Sequence, residues 1–550
     1  MTRKEFLSRA TIYQVYPASF CDSNNDGWGD IQGIISKLDY IQSLGVRAIW
    51  LSPIYPSPME DMGYDISDYM NVDPRFGTLD DFDQLVRECD RRGLKLIMDL
   101  VVNHTSDQHP WFREAIRDPS SKYRDYYIFR SGKGRNGRKA PNNWTSVLQT
   151  SAWTRLDDGS YYLHLYGVHQ PDLNWRNPAV LEEVEKIMSF WMDRGVYGFR
   201  CDVISELYKS SFEDGKHRKL SEIALPVGHE HFVAQEGTHR ILRKVRNDVI
   251  DPRGGVLIGE CYGVNREQAQ EFLNGELDAV ISFDLVQSPG TVIWRKDPHR
   301  KFEKTLKTWQ TQVSCNANYL ENHDQHRSIG KFIHPRDDWE TGAKMLLTLL
   351  FSLKGTILIY QGQELGAMDY PEFKPEDSRD MVARNMYSFF KKLVPIRSIA
   401  WKFARNVGRD DPRAPMAFNG DKGFGFTGPD VKPWMKFNPR SEKINVETEE
   451  KAESSVLKYF RRLTELRYNF DPLSSGDIVF LEGLPDGMIG IVRLGETESS
   501  LTLVNMTGKA LQIPDKVREM KLELVISNAE SKFDFLAPYE ADIYRISSCK

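Results

Sequence analysis

Short apolar runs alternate with longer amphipathic stretches along most of the chain. Eight runs stand out: TIYQVYPASF (11–20), VRAIWLSP (46–53), LKLIMDLVVNH (94–104), VYGFRCDVI (196–204), GVLIGE (255–260), DAVISFDL (278–285), NANYLENHD (316–324) and TILIYQGQE (356–364). Between them lie stretches with helical spacing of apolar residues, among them GIISKLDYIQSLG, LDDFDQLVRECDRRG, AVLEEVEKIMSFWMDRG and GAKMLLTLLFSLKG. Gly45, Gly93, Gly195 and Gly355 follow these stretches directly before a run, where a helix ends best in a left-handed cap. Continuous apolar runs read as strands buried on both faces, the mark of a parallel sheet. An open doubly wound sheet uses the same alternation, but a count of eight favours the (β/α)8 barrel.

Two stretches break the rhythm. Residues 105–175 are long, rich in Pro, Asn, Trp and Tyr, and follow the third run; they read as an inserted loop domain. Beyond about 472 the pattern becomes DIVFLEG, GMIGIVRLG, SSLTLVNMT, KLELVISN and ADIYRIS, short alternating strands of a C-terminal antiparallel β-sandwich. The expected organisation is therefore a barrel from 1–104 and 176–471, an insertion at 105–175 and a C-terminal domain at 472–550.

Composition narrows the function. The chain has 550 residues, 40% hydrophobic and 27% charged, the usage of a soluble globular protein. Lys and Arg number 73 against 78 Asp and Glu, a net charge of −5, so no basic excess exists to neutralise a phosphate backbone. Aromatic residues make up 11%; their flat faces suit sugar stacking as well as core packing. No segment nears the ~18 consecutive apolar residues of a membrane span, and the first twenty residues lack the apolar run of a secretory signal. Cys21, Cys89, Cys201, Cys261, Cys315 and Cys549 are scattered without metal-ligand spacing. Cys89, Cys201 and Cys261 sit in or beside apolar segments and read as buried thiols of a reducing compartment, and a cytoplasmic enzyme is expected, one with no nucleic-acid or membrane partner.

The chemistry gathers at the ends of the runs. Asp99, Asp202, Glu260 and Asp324 each lie near the C-terminal end of an apolar run, and in a βα-barrel those ends converge at one mouth. One such carboxylate reads as a helix cap; four at one rim would repel one another without a task. Arg200 and Asp202 are two residues apart, hence on one face of their strand. A guanidinium there keeps a carboxylate ionised, as a nucleophile requires. Glu260 ends the apolar run VLIGE, where partial desolvation raises a carboxyl's pKa and suits a general acid. An ionised nucleophile and a protonated acid, about 5–5.5 Å apart, make a retaining glycosidase. Separately, DSNNDGWGD (22–30) sets Asp22, Asn24, Asp26 and Asp30 at ligand spacing for a hard cation, with Gly27 at the turn. Its twelfth position is Gly33 rather than Glu, so it is no EF-hand loop, and an Asx-rich turn is the alternative.

The segments DLVVNH (99–104), GFRCDVI (198–204), IGE (258–260) and ENHD (321–324), with MGYDISDY (62–69) and QPDLN (170–174), run in this order along the chain. They resemble the α-amylase family of retaining glycosidases, glycoside hydrolase family 13, in its oligo-1,6-glucosidase and α-glucosidase branch. The resemblance covers essentially the whole chain. It implies that Asp202 is the nucleophile, Glu260 the acid/base and Asp324 a carboxylate that binds sugar hydroxyls in the transition state. It further implies that Tyr64 stacks on glucose, that His104, Arg200, His323 and Gln170 bind that unit, and that Asp65 and Arg413 close the pocket behind the non-reducing end. Ca²⁺ is the implied ion for the 22–30 loop, with the Trp28 carbonyl completing its shell and the role structural; no organic cofactor is implied. The substrate is a short oligosaccharide.

Val203 follows the nucleophile position, and the family associates Val there with α-1,6 cleavage and Ala or Thr with α-1,4; a β-branched residue suited to a strand is the plainer reading. Trehalose-6-phosphate hydrolases resemble the sequence there too, and they stand as alternatives beside sucrose isomerases or hydrolases and α-1,4-glucosidases. Two positions depart from the family pattern: Val382, in RDMV, replaces a common Glu, and Phe418, in RAPMAF, the usual Trp. Non-catalytic relatives, the amino-acid-transporter heavy chains, lack the carboxylates and carry a membrane helix; this chain has the carboxylates.

Overall fold

A computed structural model describes residues 2–216, 225–287, 298–333, 339–370, 373–394, 396–530 and 532–547. Cys549 lies outside the described residues. The strands, in chain order, begin with β1 (Thr11–Val15), β2 (Ala48–Leu51) and β3 (Lys95–Leu100). The insertion adds β4 (Phe129–Ser131), β5 (Trp153–Arg155) and β6 (Ser160–Leu163). Then follow β7 (Gly198–Cys201), β8 (Val256–Glu260), β9 (Ala279–Ile281), β10 (Ala317–Asn318) and β11 (Thr356–Tyr360).

Each of the eight expected apolar runs contains one strand of a single sheet, ordered β10-β11-β1-β2-β3-β7-β8-β9. The last strand, β11, pairs in parallel with the first, β1, Thr11 opposite Ile357. An open doubly wound sheet does not return to its first strand, so this pair decides for the (β/α)8 barrel. Every residue of β1, β8 and β11 is buried, which is why the runs carry no polar alternation. Gly45, Gly93, Gly195 and Gly355 take positive φ, from +68° to +106°, and end the preceding helices as expected.

Contacts divide the chain into two compact units, 1–50 with 87–95 and 283–550, and 51–86 with 96–282. None of the expected boundaries at 104, 175 and 471 is a boundary between these units. The insertion belongs to the second unit, where its helix Pro110–Arg117 accompanies an antiparallel sheet ordered β4-β6-β5. Its two ends are stitched together: Leu173 N–H donates to the Asn103 carbonyl at 2.9 Å, and His104 bridges Asp172.

The first unit includes the C-terminal strands β12 (Asp477–Phe480), β13 (Met488–Leu494), β14 (Ser499–Asn505), β15 (Leu511–Gln512), β16 (Leu522–Ser527), β17 (Phe535–Leu536) and β18 (Ala541–Ile546). Five form an antiparallel sheet, β12-β13-β14-β18-β16, and β15 pairs with β17. Leu501, Leu503 and Tyr544 of the large sheet pack with Ile513, Val517 and Leu536 in one apolar core. Among the described residues no helix is long and apolar enough to cross a membrane. Five cysteines are free: Cys21, Cys89, Cys201 and Cys261 buried, and Cys315 half-buried.

Candidate active site

The second unit holds Tyr64, Asp65, His104, Gln170, Arg200, Asp202, Val203 and Glu260. Strand β7 ends at Cys201 and β8 at Glu260, and their parallel register sets Cys201 opposite Gly259. The next position on each strand is therefore Asp202 beside Glu260.

Arg200 ties this group together. One terminal nitrogen donates to Asp99 Oδ1 and, at 2.8 Å, to Asp202 Oδ1; the other pairs with Glu260 Oε2. The guanidinium thus faces both expected catalytic carboxylates, not Asp202 alone. Burial by itself would depress the Arg200 pKa; the charges of Asp99 and Glu260 outweigh it and hold the group well above its usual value. Asp99, fully buried, also accepts the Tyr64 hydroxyl at 3.1 Å. Asp99 therefore orients the arginine and the tyrosine rather than meeting substrate.

His104 Nε2 lies 3.0 Å from the Tyr64 carbonyl and 3.1 Å from the Gln170 side-chain nitrogen. Gln170 donates to that carbonyl at 3.2 Å and to Asp61 at 3.1 Å. Asp65 is fully buried and spends its oxygens on its own loop, accepting from Ser57 Oγ and the N–H groups of Glu60 and Asp61. Burial, then the nearby Asp61 charge, pushes the Asp65 carboxyl up to about 6. Val203 lies outside β7, in a left-handed conformation with φ +39° and ψ +39°.

The first unit holds His323, Asp324 and Arg413. Asp324 does not end its strand: β10 stops at Asn318, and Asp324 lies six residues on, in a turn where its N–H donates to Asn322 Oδ1 at 2.9 Å. Its carboxylate sits among cations. Arg413 donates to Oδ1 at 2.6 Å and Arg409 at 3.4 Å. Gln14 donates to His323 Nδ1 at 2.7 Å, which leaves Nε2–H to face Asp324 Oδ2 at 3.2 Å. Arg409 in turn pairs with Asp380 at 2.7 Å, and Arg413 also donates to the His323 carbonyl.

Residues 14–476 match the family model of the alpha amylase catalytic domain. The chain belongs to the alpha-amylase family. It is 39% identical to the oligo-1,6-glucosidase of Parageobacillus thermoglucosidasius, over 98% of both chains. It is 36% identical to that of Bacillus cereus, over 99% of this chain and all of the other. Among solved structures it resembles Bacillus licheniformis trehalose-6-phosphate hydrolase, with a TM-score of 0.92, 33% identity and full coverage of both chains.

The 22–30 loop of this family member lies in the first unit. Its side-chain donors, Asp22, Asn24, Asp26 and Asp30, are all oxygens and suit a hard cation. Asp22 curls the loop by accepting from the N–H groups of Asn24, Asn25 and Gly27, and Thr427 Oγ1 adds a fourth donor. Asp30 caps the helix Ile31–Ser36. Among the described residues, a histidine and two carboxylates bring ligand atoms within 4.8 Å of one another at His326, Asp369 and Asp411. There Arg405 already pairs with Asp411 at 2.7 Å, and His326 lies 3.3 Å from Asp369, whose charge, against burial, raises the imidazole's pKa.

Sequence patterns do not single out Asp380 and Arg409, near Asp324 in the first unit, or Tyr166 and Glu206, near His104 and Asp202 in the second. Asp99 was legible only as one acid of a row. Helical or strand spacing connects none of them to its partner, because each bond joins distant segments. Phe418, one of the two departures, is buried core, edge-on to Phe20 and Tyr40.

Proposed function

We propose that this chain is an exo-acting, retaining α-glucosidase that removes terminal glucose from short oligosaccharides, with α-1,6 bonds preferred. The observation that carries the reading is the register of β7 against β8, which brings Asp202 beside Glu260, with the Arg200 guanidinium hydrogen-bonded to Asp202 at 2.8 Å. Asp202 attacks C1 while protonated Glu260 gives its proton to the leaving oxygen; the bond to the aglycone breaks and a glucosyl ester forms. Glu260 then deprotonates the water that hydrolyses the ester, with net retention. Asp324, cradled by Arg413, Arg409 and His323, takes the part of a carboxylate that binds sugar hydroxyls in the transition state. Tyr64, His104 and Gln170 shape the sugar's surroundings.

The oligo-1,6-glucosidase relatives support the linkage. A second reading, trehalose-6-phosphate hydrolysis, is favoured by the fold match to the Bacillus licheniformis enzyme. Glucose release from isomaltose, maltose, sucrose, trehalose and trehalose 6-phosphate, measured side by side, separates them. Isomaltose is expected to be the best substrate; trehalose 6-phosphate in that place overturns the linkage assignment. A slow activated fluoroglucoside is expected to label Asp202, and Asp202→Ala to abolish turnover with the fold intact. Labelling of another carboxylate would overturn the roles.

The loop at 22–30 holds a structural Ca²⁺ in this reading, its support being five oxygen donors in a curled turn: Asp22, Asn24, Asp26, Asp30 and the Trp28 carbonyl. The place of action is the cytoplasm, a reading supported by the free thiols.

A further inference from the structure

Val203 and Glu206 flank a tight turn directly after Asp202. The Glu206 N–H donates to the Val203 carbonyl at 3.1 Å and closes it. The Glu206 side chain is fully buried, and its Oε2 accepts the Tyr166 hydroxyl at 2.8 Å. Its other oxygen, Oε1, is buried with no hydrogen-bond partner among the described residues. The Tyr166 ring lies beside the His104 ring, with centroids 5.4 Å apart. Tyr166 is half-buried, with its hydroxyl held by Glu206.

The groups around Glu206 give its negative charge no home. Lys209 is the nearby cation, but its ammonium is already held by Asp172 at 2.6 Å and Asn103 Oδ1 at 2.8 Å, and it reaches only the backbone carbonyl of Glu206. Asp172 and Asp202 face Glu206 with like charge. The Tyr262 hydroxyl lies within reach of the same charge, and Tyr166 feels Asp202 and Glu260 as well. An ionised, fully buried carboxylate with one oxygen unbonded is costly.

We propose that Glu206 is a positioning residue of the sugar site: as a neutral carboxylic acid it holds Tyr166 against His104 and locks the turn that follows the nucleophile. The proposal rests on the glycosidase reading above. Burial foremost pushes the Glu206 carboxyl up to about 8, against the opposing pull of Tyr166 and Lys209, so the acid form prevails at neutral pH and is lost in mildly alkaline solution. Ionisation then sets a third negative charge near Asp202 and Glu260 and loosens the ring on the sugar-binding wall.

The test uses the full-length enzyme with p-nitrophenyl α-glucoside from pH 6 to 9.5. Wild-type KM is expected to rise by about fivefold or more above pH 8, with kcat changing less, because Glu206 acts on binding through Tyr166. In Glu206→Gln, which is neutral at every pH, the KM of the variant is expected to stay level over that range. Stability supplies a readout that needs no substrate. A carboxyl whose folded-state pKa lies above the unfolded value of about 4.3 contributes stability that is complete below that pH and lost as pH rises towards 8. The wild-type Tm is therefore expected to fall relative to that of Glu206→Gln between pH 5 and 8. A KM course in the variant that parallels wild type, or a Tm difference independent of pH, overturns the proposal. Absence of α-glucosidase activity in wild type, with the Tm difference present, would instead overturn the function and leave the buried acid standing. Should Glu206→Gln fail to fold, infrared difference spectra of wild type between pH 6.5 and 9.5 decide: a neutral carboxyl band lost near pH 8 is expected, and no such band overturns the assignment.

Discussion

Val203 turns left-handed, φ +39°, immediately after the proposed nucleophile, with its side chain buried. Such a backbone is a genuine outlier for a β-branched residue and costs about 1–3 kcal/mol. Strand propensity does not account for a valine there, because β7 has already ended. Val203 directly follows Asp202 in the chain, and its branched side chain is inflexible. An α-1,6 acceptor has an extra rotatable bond with which to pass that bulk; an α-1,4 acceptor is joined directly through its ring. The kcat/KM for isomaltose is expected to exceed that for maltose, and Val203→Ala or Val203→Thr to narrow the gap by about 1–3 kcal/mol at most. A wild-type preference for maltose, or a ratio that neither substitution moves, would show that Val203 does not read the linkage.

At the scale of elements, helices of this fold must stop sharply so that the next strand can start. Gly195 ends the helix Pro178–Asp193 with φ +100°. A Cβ built there would sit 2.6 Å from Val86 Cγ1, so both backbone and packing demand glycine. Gly195→Ala is expected to lower stability by roughly 1–3 kcal/mol, read as a drop in Tm of a few degrees. An unchanged Tm would mean that the cap rearranges freely. The loop bearing Asp324 behaves otherwise. NANYLENHD reads as one apolar run, yet only Ala317–Asn318 is strand. Asn318 turns its amide onto the carbonyls of Asn316, Lys354 and Thr356, and Asn322 bonds the Asp324 N–H. Asparagine side chains compete with the ladder for backbone partners, and here they win.

Across the molecule, some bonds join ends of the chain that sequence separates widely. The 22–30 loop is one such closure within its unit. Asp22 N–H donates to the Phe426 carbonyl, Asn25 Oδ1 accepts from Gly428 N–H, and Trp28 stacks on Trp434 at 5.0 Å. An ion held only by the folded loop adds stability by mass action, RT ln(1 + [L]/Kd), and strengthens that closure. Chelation is expected to lower Tm and added Ca²⁺ to restore it, with Asp26→Asn blunting the response. No change on chelation, together with no metal by elemental analysis, would remove the ion from this protein.

The barrel and its order of strands were legible in the sequence because burial on both faces leaves unbroken apolar runs, and glycines mark the helix ends. The carboxylates proposed as catalytic stand out in the sequence for a related reason: a polar residue that closes an apolar run is conspicuous. Spacing of two along a strand was enough to put Arg200 and Asp202 on one face. Pairing between strands is another matter. That Arg200 also reaches Glu260 follows from the register of β7 against β8, and that Asp99 serves Arg200 and Tyr64 follows from β3 lying beside β7. The cradle of Asp324, the protonated Glu206 behind Tyr166 and the left-handed Val203 belong to the tertiary structure alone. Local periodicity encodes which face a residue takes; only the folded chain sets which distant side chain meets it there, how much water is excluded, and so which charge the site can keep.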